Sequence, residues 1–304
     1  MEKIGIIGQG FVGSAVREKL KSDYQVHTYD KYNDSNSLIY TKDKTDYSET
    51  VNIKSLVKNC QVIFVCVPTP MFEDGECDTR IVRSVIQDIS NEADQQEKEI
   101  VTVVKSTIPP GTTLSLNKIS DRVGVTFSPE FLTEANAISD FMNQSRIVLG
   151  IDWAEYVVPV SDIFRKVFPN AEIFLLNSKE AEMVKYMTNL FLATKVSFFN
   201  DMYRVCESLE IDYDNVVDVT LADPRIGKSH YSVPGPDGDF GYGGHCFPKD
   251  MNALLYIAQQ CSTPVPTLMG AHTTNQIVRK NKDWEEMQGR AVSKRDLSIE
   301  EIKS

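Results

Sequence analysis

The sequence lacks an apolar run long enough to span a bilayer: the best candidate, 62–67, covers six residues, whereas a membrane helix needs about twenty. It also lacks a Cys-x-x-Cys pair, its cysteines standing at 60, 66, 77, 206, 246 and 261, and its four histidines are scattered. That pattern excludes the common structural zinc sites and predicts reduced thiols with no bound metal. Basic excess is missing too. With 32 Lys and Arg against 43 Asp and Glu the formal charge is −11, which excludes nucleic acid and anionic membrane surfaces as general partners. A small anionic ligand held by a few cations and backbone dipoles remains compatible with it. The N-terminus enters directly the strand-like Lys3-Ile4-Gly5-Ile6-Ile7 with no leader pattern, so the expected location is the cytoplasm.

What is present reads as an α/β protein. In the first half, β-branched runs alternate with helical patterns, the signature of a doubly wound, Rossmann-like parallel sheet covered by helices. Strands are expected at 3–7, 25–29, 62–67, 100–104, 123–127 and 147–151, and helices at 12–21, 79–91 and 112–119, with Asp78 capping the second. The polar segment 31–52 is expected at the surface. From 178 to 209 there is neither glycine nor proline, and Met183, Met187, Leu190, Phe191, Thr194, Phe198, Met202, Val205 and Leu209 recur near helical spacing. One long helix is therefore expected to lead from a nucleotide-binding domain, 1–177, into a small helical domain, 178–282, and to pack against a second subunit. The Gly- and Pro-rich stretch 224–248 reads as a functional loop. The polar end, 283–304, reads as a loosely ordered tail with one short helix capped by Ser298.

Several motifs carry chemistry. Gly8-Gln9-Gly10-Phe11-Val12-Gly13 lies between the first strand and the first helix. Its glycines permit a tight turn and close approach of a pyrophosphate, which the amides at the helix start would bind. Asp30 ends the second strand, placed to accept the ribose hydroxyls and to repel a 2′-phosphate, so NAD is the expected cofactor. Val67-Pro68-Thr69-Pro70 and the stretch from Lys105 through Thr107 to Thr112 leave strand ends on the ligand side, and a free hydroxyl on a rigid loop suits orientation of a nicotinamide or a water. Glu130, in Ser128-Pro129-Glu130-Phe131-Leu132-Thr133-Glu134, follows a strand among apolar neighbours, which predicts a raised pKa suited to proton transfer. Lys185 and Asn189 share one helix face and together suit an oxyanion. The decapeptide Gly241-Tyr242-Gly243-Gly244-His245-Cys246-Phe247-Pro248-Lys249-Asp250 sets a thiol in a glycine loop beside a cation and a carboxylate, as an activated nucleophile requires.

From residue 3 to about 282 these segments, in this order, resemble the UDP-glucose/GDP-mannose dehydrogenase family. The resemblance implies oxidation of a nucleotide sugar's primary alcohol to a carboxylate by two NAD-dependent hydride transfers. It implies that Cys246 forms the thiohemiacetal and thioester, that Lys185, Asn189 and Asp250 support oxyanion and acid–base steps, and that Glu130 and Thr107 handle the proton or the hydrolytic water. It further implies NAD contacts by Gly8, Gly10, Phe11, Val12, Gly13, Asp30, Thr69, Thr107, Glu134 and Lys249, and substrate contacts by Phe131, Leu132, Lys185, Asn189, Tyr231, Tyr242 and Gly243. Arg225 matches an arginine that reaches the neighbouring subunit's sugar, implying a homodimer. In two places the chain departs from the family pattern. The loop 232–239 looks longer, leaving UDP-glucose, GDP-mannose and a UDP-N-acetylhexosamine open as substrates, and the family's third, nucleotide-gripping domain has no counterpart before Ser304. An NAD-binding module that completes a partner is the reading from a different class.

Asp30 generates the first prediction: NAD binds far more tightly than NADP in a direct titration, and equal affinities would overturn the assignment.

Overall fold

The computed structural model describes residues 2–46, 51–133, 136–298 and 301. They divide into two compact units, one of Met1–Thr69 and Thr79–Lys185, the other of Pro70–Asp78 and Tyr186–Ser304. The first break therefore falls inside the loop after Thr69, and the main one inside the long helix rather than at its start.

The first unit is built on a nine-stranded sheet in the order β4-β3-β2-β1-β5-β6-β7-β8-β9. Its parallel heart is β1 (Lys3–Ile7), β2 (Gln25–Tyr29), β5 (Val62–Val65), β6 (Ile100–Val104) and β7 (Val123–Phe127), where buried β-branched runs supply the pairing. The segment expected to be irregular contributes the two-residue antiparallel strands β3 (Ile39–Tyr40) and β4 (Thr45–Asp46) at one edge. At the other edge β8 (Arg146–Gly150) runs antiparallel to β7, and it pairs in parallel with β9 (Glu172–Leu176), a strand not foreseen.

Helices α1 (Phe11–Leu20), α5 (Ala137–Met142) and α6 (Ala154–Val167) pack one face of the sheet, with Val16, Phe141 and Phe164 against Ile6, Phe64 and Leu149. On the other face, α2 (Ile53–Asn59) brings Leu56 against Ile63 and Gly5, and α3 (Arg80–Gln96) and the short α4 (Thr112–Leu116) follow. Asp78 is not the cap of α3. Thr79 holds that position, while Asp78 is fully buried and accepts a hydrogen bond from Ser293.

The 31-residue α7 (Ser178–Ser208) begins in the first unit and ends in the second. Helices α8 (Tyr213–Thr220), α9 (Cys246–Gln260) and α10 (Pro266–Val278) complete the second unit, around Phe199, Tyr213, Val217 and Val233. The tail is packed rather than loose. Trp284 and Ala291 are buried with Met71, and the backbones of Ala291 and Ser293 pair with that of Met71 at 2.8 Å. Arg295 then meets Asp74 at 2.6 Å and covers the Phe72 ring at 4.2 Å. The helix expected after Ser298 falls mostly outside the described residues, although Ser298 does bond Glu301 at 2.6 Å. No helix among the described residues is long and apolar enough to cross a membrane.

Candidate active site

In the first unit, Gly8 takes φ +89°, a left-handed conformation that favours glycine. A β-carbon on Gly13 would strike the Gly8 carbonyl at 1.9 Å, so the turn can close only with glycine there. Gly10 has open space where its β-carbon would stand, and Phe11, half exposed, opens α1. Val12 packs inward against the sheet. The result is an open cradle at a helix N-terminus, the geometry that accepts a dinucleotide's pyrophosphate. Asp30 follows β2, and its carboxylate accepts from the Gln9 N–H at 2.8 Å and the Tyr32 N–H at 3.1 Å, tying the strand end to the cradle. The residues fit NAD.

The two expected loops are bolted together. Thr69 Oγ1 donates to the Thr107 carbonyl at 2.7 Å and Ser106 Oγ to the Val67 carbonyl at 2.6 Å. The Thr69 hydroxyl is thus engaged as a donor rather than free. Gly111, at φ +98°, lets the second loop turn so that its amide and that of Thr113 both donate to the buried Glu182. Sequence reading did not single out Glu182, whose spacing from Lys185 is its one visible signal.

Glu130 is 7% exposed and held from several sides. Lys185 Nζ donates to its Oε1 at 3.0 Å and to its carbonyl at 2.6 Å, and the Leu132 N–H donates to Oε2 at 2.6 Å. This corrects the expected raised pKa. Burial alone pushes the Glu130 carboxyl up, but the Lys185 charge, the Leu132 N–H and Lys105 outweigh it and hold the group below the usual carboxylate range. Lys105, also missed, is buried with its ammonium on Ser128 Oγ and the Pro129 carbonyl, each at 3.2 Å, and burial lowers it to about 8. Phe131 stacks beneath Arg146 at 4.2 Å, and Leu132 packs on the sheet core. Glu134 lies outside the described residues.

The second unit holds the thiol. Cys246 is the first residue of the 15-residue α9 and not part of the preceding loop as expected. The dipole at the head of that helix therefore favours its thiolate. On the same turn Lys249 donates to Asp250 Oδ1 at 2.5 Å, and Asn189 Nδ2 donates to Asp250 Oδ2 at 2.6 Å. Burial would push the Lys249 ammonium down; Asp250, with Cys246 and Cys77 adding, keeps it above the usual lysine range. Lys249, expected to touch the cofactor, is engaged with Asp250. Cys77 answers to the same pair but is pushed up to about 12, mainly by burial, and is no nucleophile at neutral pH.

The remaining candidates differ in availability. Arg225 is exposed and clasps Asp223 in the same unit at 2.5–3.1 Å. Tyr231 packs edge-on against Phe199. Tyr242 is 5% exposed, its ring against Phe247 and its backbone bonded both ways to the Asn275 amide. It can offer a substrate little of its side chain.

Residues 2–168 match the NAD binding domain of the UDP-glucose/GDP-mannose dehydrogenase family, and residues 179–277 match that family's central domain. YtcA of Bacillus subtilis (strain 168) is 39% identical over 220 residues, covering 69% of this chain and 49% of that protein. The UDP-glucose 6-dehydrogenase of Campylobacter jejuni is 31% identical over 298 residues, covering 91% of this chain and 73% of that one. A solved UDP-glucose dehydrogenase from Pyrobaculum islandicum superposes with a TM-score of 0.79 at 25% identity, covering 91% of this chain and 68% of that one. The chain spans about half the length of several of the curated relatives it matches.

The Lys185–Glu130 pair generates a pH prediction. Removing one partner of a buried pair costs about 3–5 kcal/mol, and Lys185→Met should do so at pH 7.5 in urea unfolding. With the ammonium gone, burial lifts Glu130 above its usual range, so the carboxyl takes up a proton as pH falls. The deficit against wild type therefore narrows toward pH 5, since wild-type Glu130, whose folded pKa is lowered, loses its contribution only as pH falls through that lowered value. A deficit of constant size across this window would contradict the assignment.

Proposed function

Because the chain belongs to the UDP-glucose/GDP-mannose dehydrogenase family, we propose that it oxidises a nucleotide sugar, UDP-glucose first among the candidates, from the primary alcohol to the carboxylate. The observation that carries this reading is Cys246 as the opening residue of α9, with Lys249 and Asp250 close behind it on that helix and Asn189 of α7 donating to Asp250. A binding module needs none of these groups.

Bound NAD supplies the acceptor for a hydride at each of two oxidations. The residues do the rest. Loss of a hydride and a proton from the alcohol leaves an aldehyde, and the Cys246 thiolate adds to its carbon, so that the intermediate stays covalently attached. The oxyanion formed by that addition calls for cationic and amide donors, the role of Lys185 and Asn189. Departure of the second hydride converts the adduct into a thioester. Water then cleaves the carbon–sulfur bond, returning the thiolate and giving the carboxylate with release of protons. Glu130, kept ionised by its neighbours, serves as proton acceptor for that water, with Thr107 orienting it.

A homodimer completes the reading. Met187, Phe191, Phe198, Met202, Val205 and Leu209 recur along one face of α7 and its end and are 38–66% exposed, an apolar stripe of the kind that marks a protein interface. Arg225 would contribute from the partner.

Two measurements test these statements. With UDP-glucose, wild type yields two NADH per sugar, and Cys246→Ala loses acid production by about 10³-fold or more while NAD affinity holds within about twofold. Acid production by that variant at the wild-type rate would refute the covalent role, and the same assay over a panel of nucleotide sugars identifies the substrate. In sedimentation, wild type runs as a dimer and Phe198→Glu as a monomer; a fully active wild-type monomer at nanomolar concentration would sink the dimer.

A further inference from the structure

The chain that delivers Cys246 to the start of α9 is a glycine loop, and glycine loops are not rigid by themselves. Gly235, Gly238, Gly241 and Gly244 occur within ten residues, three of them at positive φ. Such a segment would place the thiol loosely unless something else fixed its backbone. The structure supplies one candidate, which lies outside the catalytic set named above.

Arg279, just after α10, has a side chain only 1% exposed. Its Nη1 stands 2.7 Å from Asp237 as an ion contact, its Nε lies 3.6 Å from Asp239, and its Nη2 lies 3.5 Å from Asp283. Nε also donates to the Asn281 carbonyl at 2.7 Å. Each aspartate in turn grips backbone. Asp283 accepts from the Gly244 N–H at 3.0 and 3.1 Å, Asp239 accepts from the N–H groups of Lys280 and Asn281 at 3.1 and 2.7 Å and from that of Phe240 at 2.8 Å, and Asp237 accepts from the N–H of Asp239 at 3.2 Å. A β-carbon on Gly243 would fall 2.2 Å from Arg279 Nη2. The guanidinium therefore fills the space beneath the loop, and a side chain at residue 243 would have to displace it. Asn200 and Asn275 fix the amides of Gly241 and Tyr242 from the other side.

We propose that Arg279, through Asp237, Asp239 and Asp283, is the positioning residue of the Cys246 loop, setting the backbone of 241–245 and with it the thiol at the head of α9. The inference rests on the reading of Cys246 as nucleophile. A planar fork suits this role because Nε donates to the Asn281 carbonyl and Nη2 to Asp283 while Nη1 meets Asp237 as an ion contact without a hydrogen bond, three fixed directions that an ammonium does not provide. The net charge of the cluster is negative, so its role is not to stabilise the thiolate by charge.

Peptide-resolved alkylation of the full chain by iodoacetamide tests this without needing turnover. Cys261, exposed at the other end of α9, reports the reagent, and Cys206, buried in the core of the same unit, reports unfolding. In Arg279→Ala, Cys246 labelling at pH 7 slows about tenfold, as expected when a thiol displaced from the head of a helix loses the dipole that favours its thiolate. Cys206 stays protected, and added ethylguanidinium, but not methylammonium, restores the rate. Arg279→Lys, which keeps the charge and loses the fork, is slow as well; labelling at the wild-type rate in that variant would overturn the proposal. Should Arg279→Ala expose Cys206, Asp283→Asn decides. Its side chain can still accept from Gly244, and removing a negative charge would speed labelling by electrostatics alone, whereas the clamp predicts slower labelling. A rate equal to or above wild type there refutes it. Absence of NADH from every nucleotide sugar with wild type would sink the dehydrogenase reading and leave these labelling outcomes intact.

Discussion

The Lys249 ammonium sits inside the protein, where burial by itself pushes its pKa down. Asp250 touches it and raises it again, and Lys249 and the Asn189 amide divide the two Asp250 oxygens between them. This mutual requirement, that a charge removed from water be met by a partner and its spare lone pairs by donors, recurs at several chemically suggestive places among the described residues. Glu130 with Lys185, Glu182 with the amides of Gly111 and Thr113, and Arg279 with its aspartates are further cases. The apolar cores are interchangeable in principle; these pairs are not, since losing one member leaves the other stranded.

The pairs also explain how local stiffness is distributed. Loops that carry reactive groups are rich in glycine or proline and have little core of their own. They are instead fastened by hydrogen bonds from buried side chains: Thr69 and Ser106 between the two cofactor-side loops, Asn200, Asn275 and Asp283 along the glycine loop. Each fastening is directional, so it fixes an orientation as well as a position.

Much of this was legible in the sequence, for reasons that can be named. β1, β2, β6 and β7 run to the expected residues because short runs rich in β-branched residues and bounded by turns have few other ways to be buried. α7 was visible because nothing in it breaks a helix. β9 was missed since its exposed, weakly alternating EIFLL lacks a buried face, and the direction of β8 depends on a connection that local pattern does not encode. Cys246 was assigned to a loop because Pro248 follows it, yet Pro248 is the third residue of α9, where a missing N–H costs nothing. The pKa of Glu130 was misjudged in sign because its neighbours in sequence are apolar, while Lys185 is 55 residues away. The tail was read as loose for the same reason, its partners Met71 and Asp78 being out of sight.

Those last contacts bear on the order in which the molecule can be made. Ser293 and Asp78 are separated by 215 residues, and the segment Pro70–Asp78 belongs to a unit whose remainder begins only at Tyr186. As the chain emerges from a ribosome, the sheet can assemble once β9 is out, but Met71 must wait for Trp284 and Ala291, and Phe72 for Arg295, before they are covered. Non-local closure of this kind is slow and leaves apolar surface open in the interval. The nine-residue excursion thus makes the second unit discontinuous, so no cut at a single point yields two intact halves. Fragments ending near 185 would carry Met71 and Phe72 with nothing to bury them, and complementation would require the later fragment to find that loop.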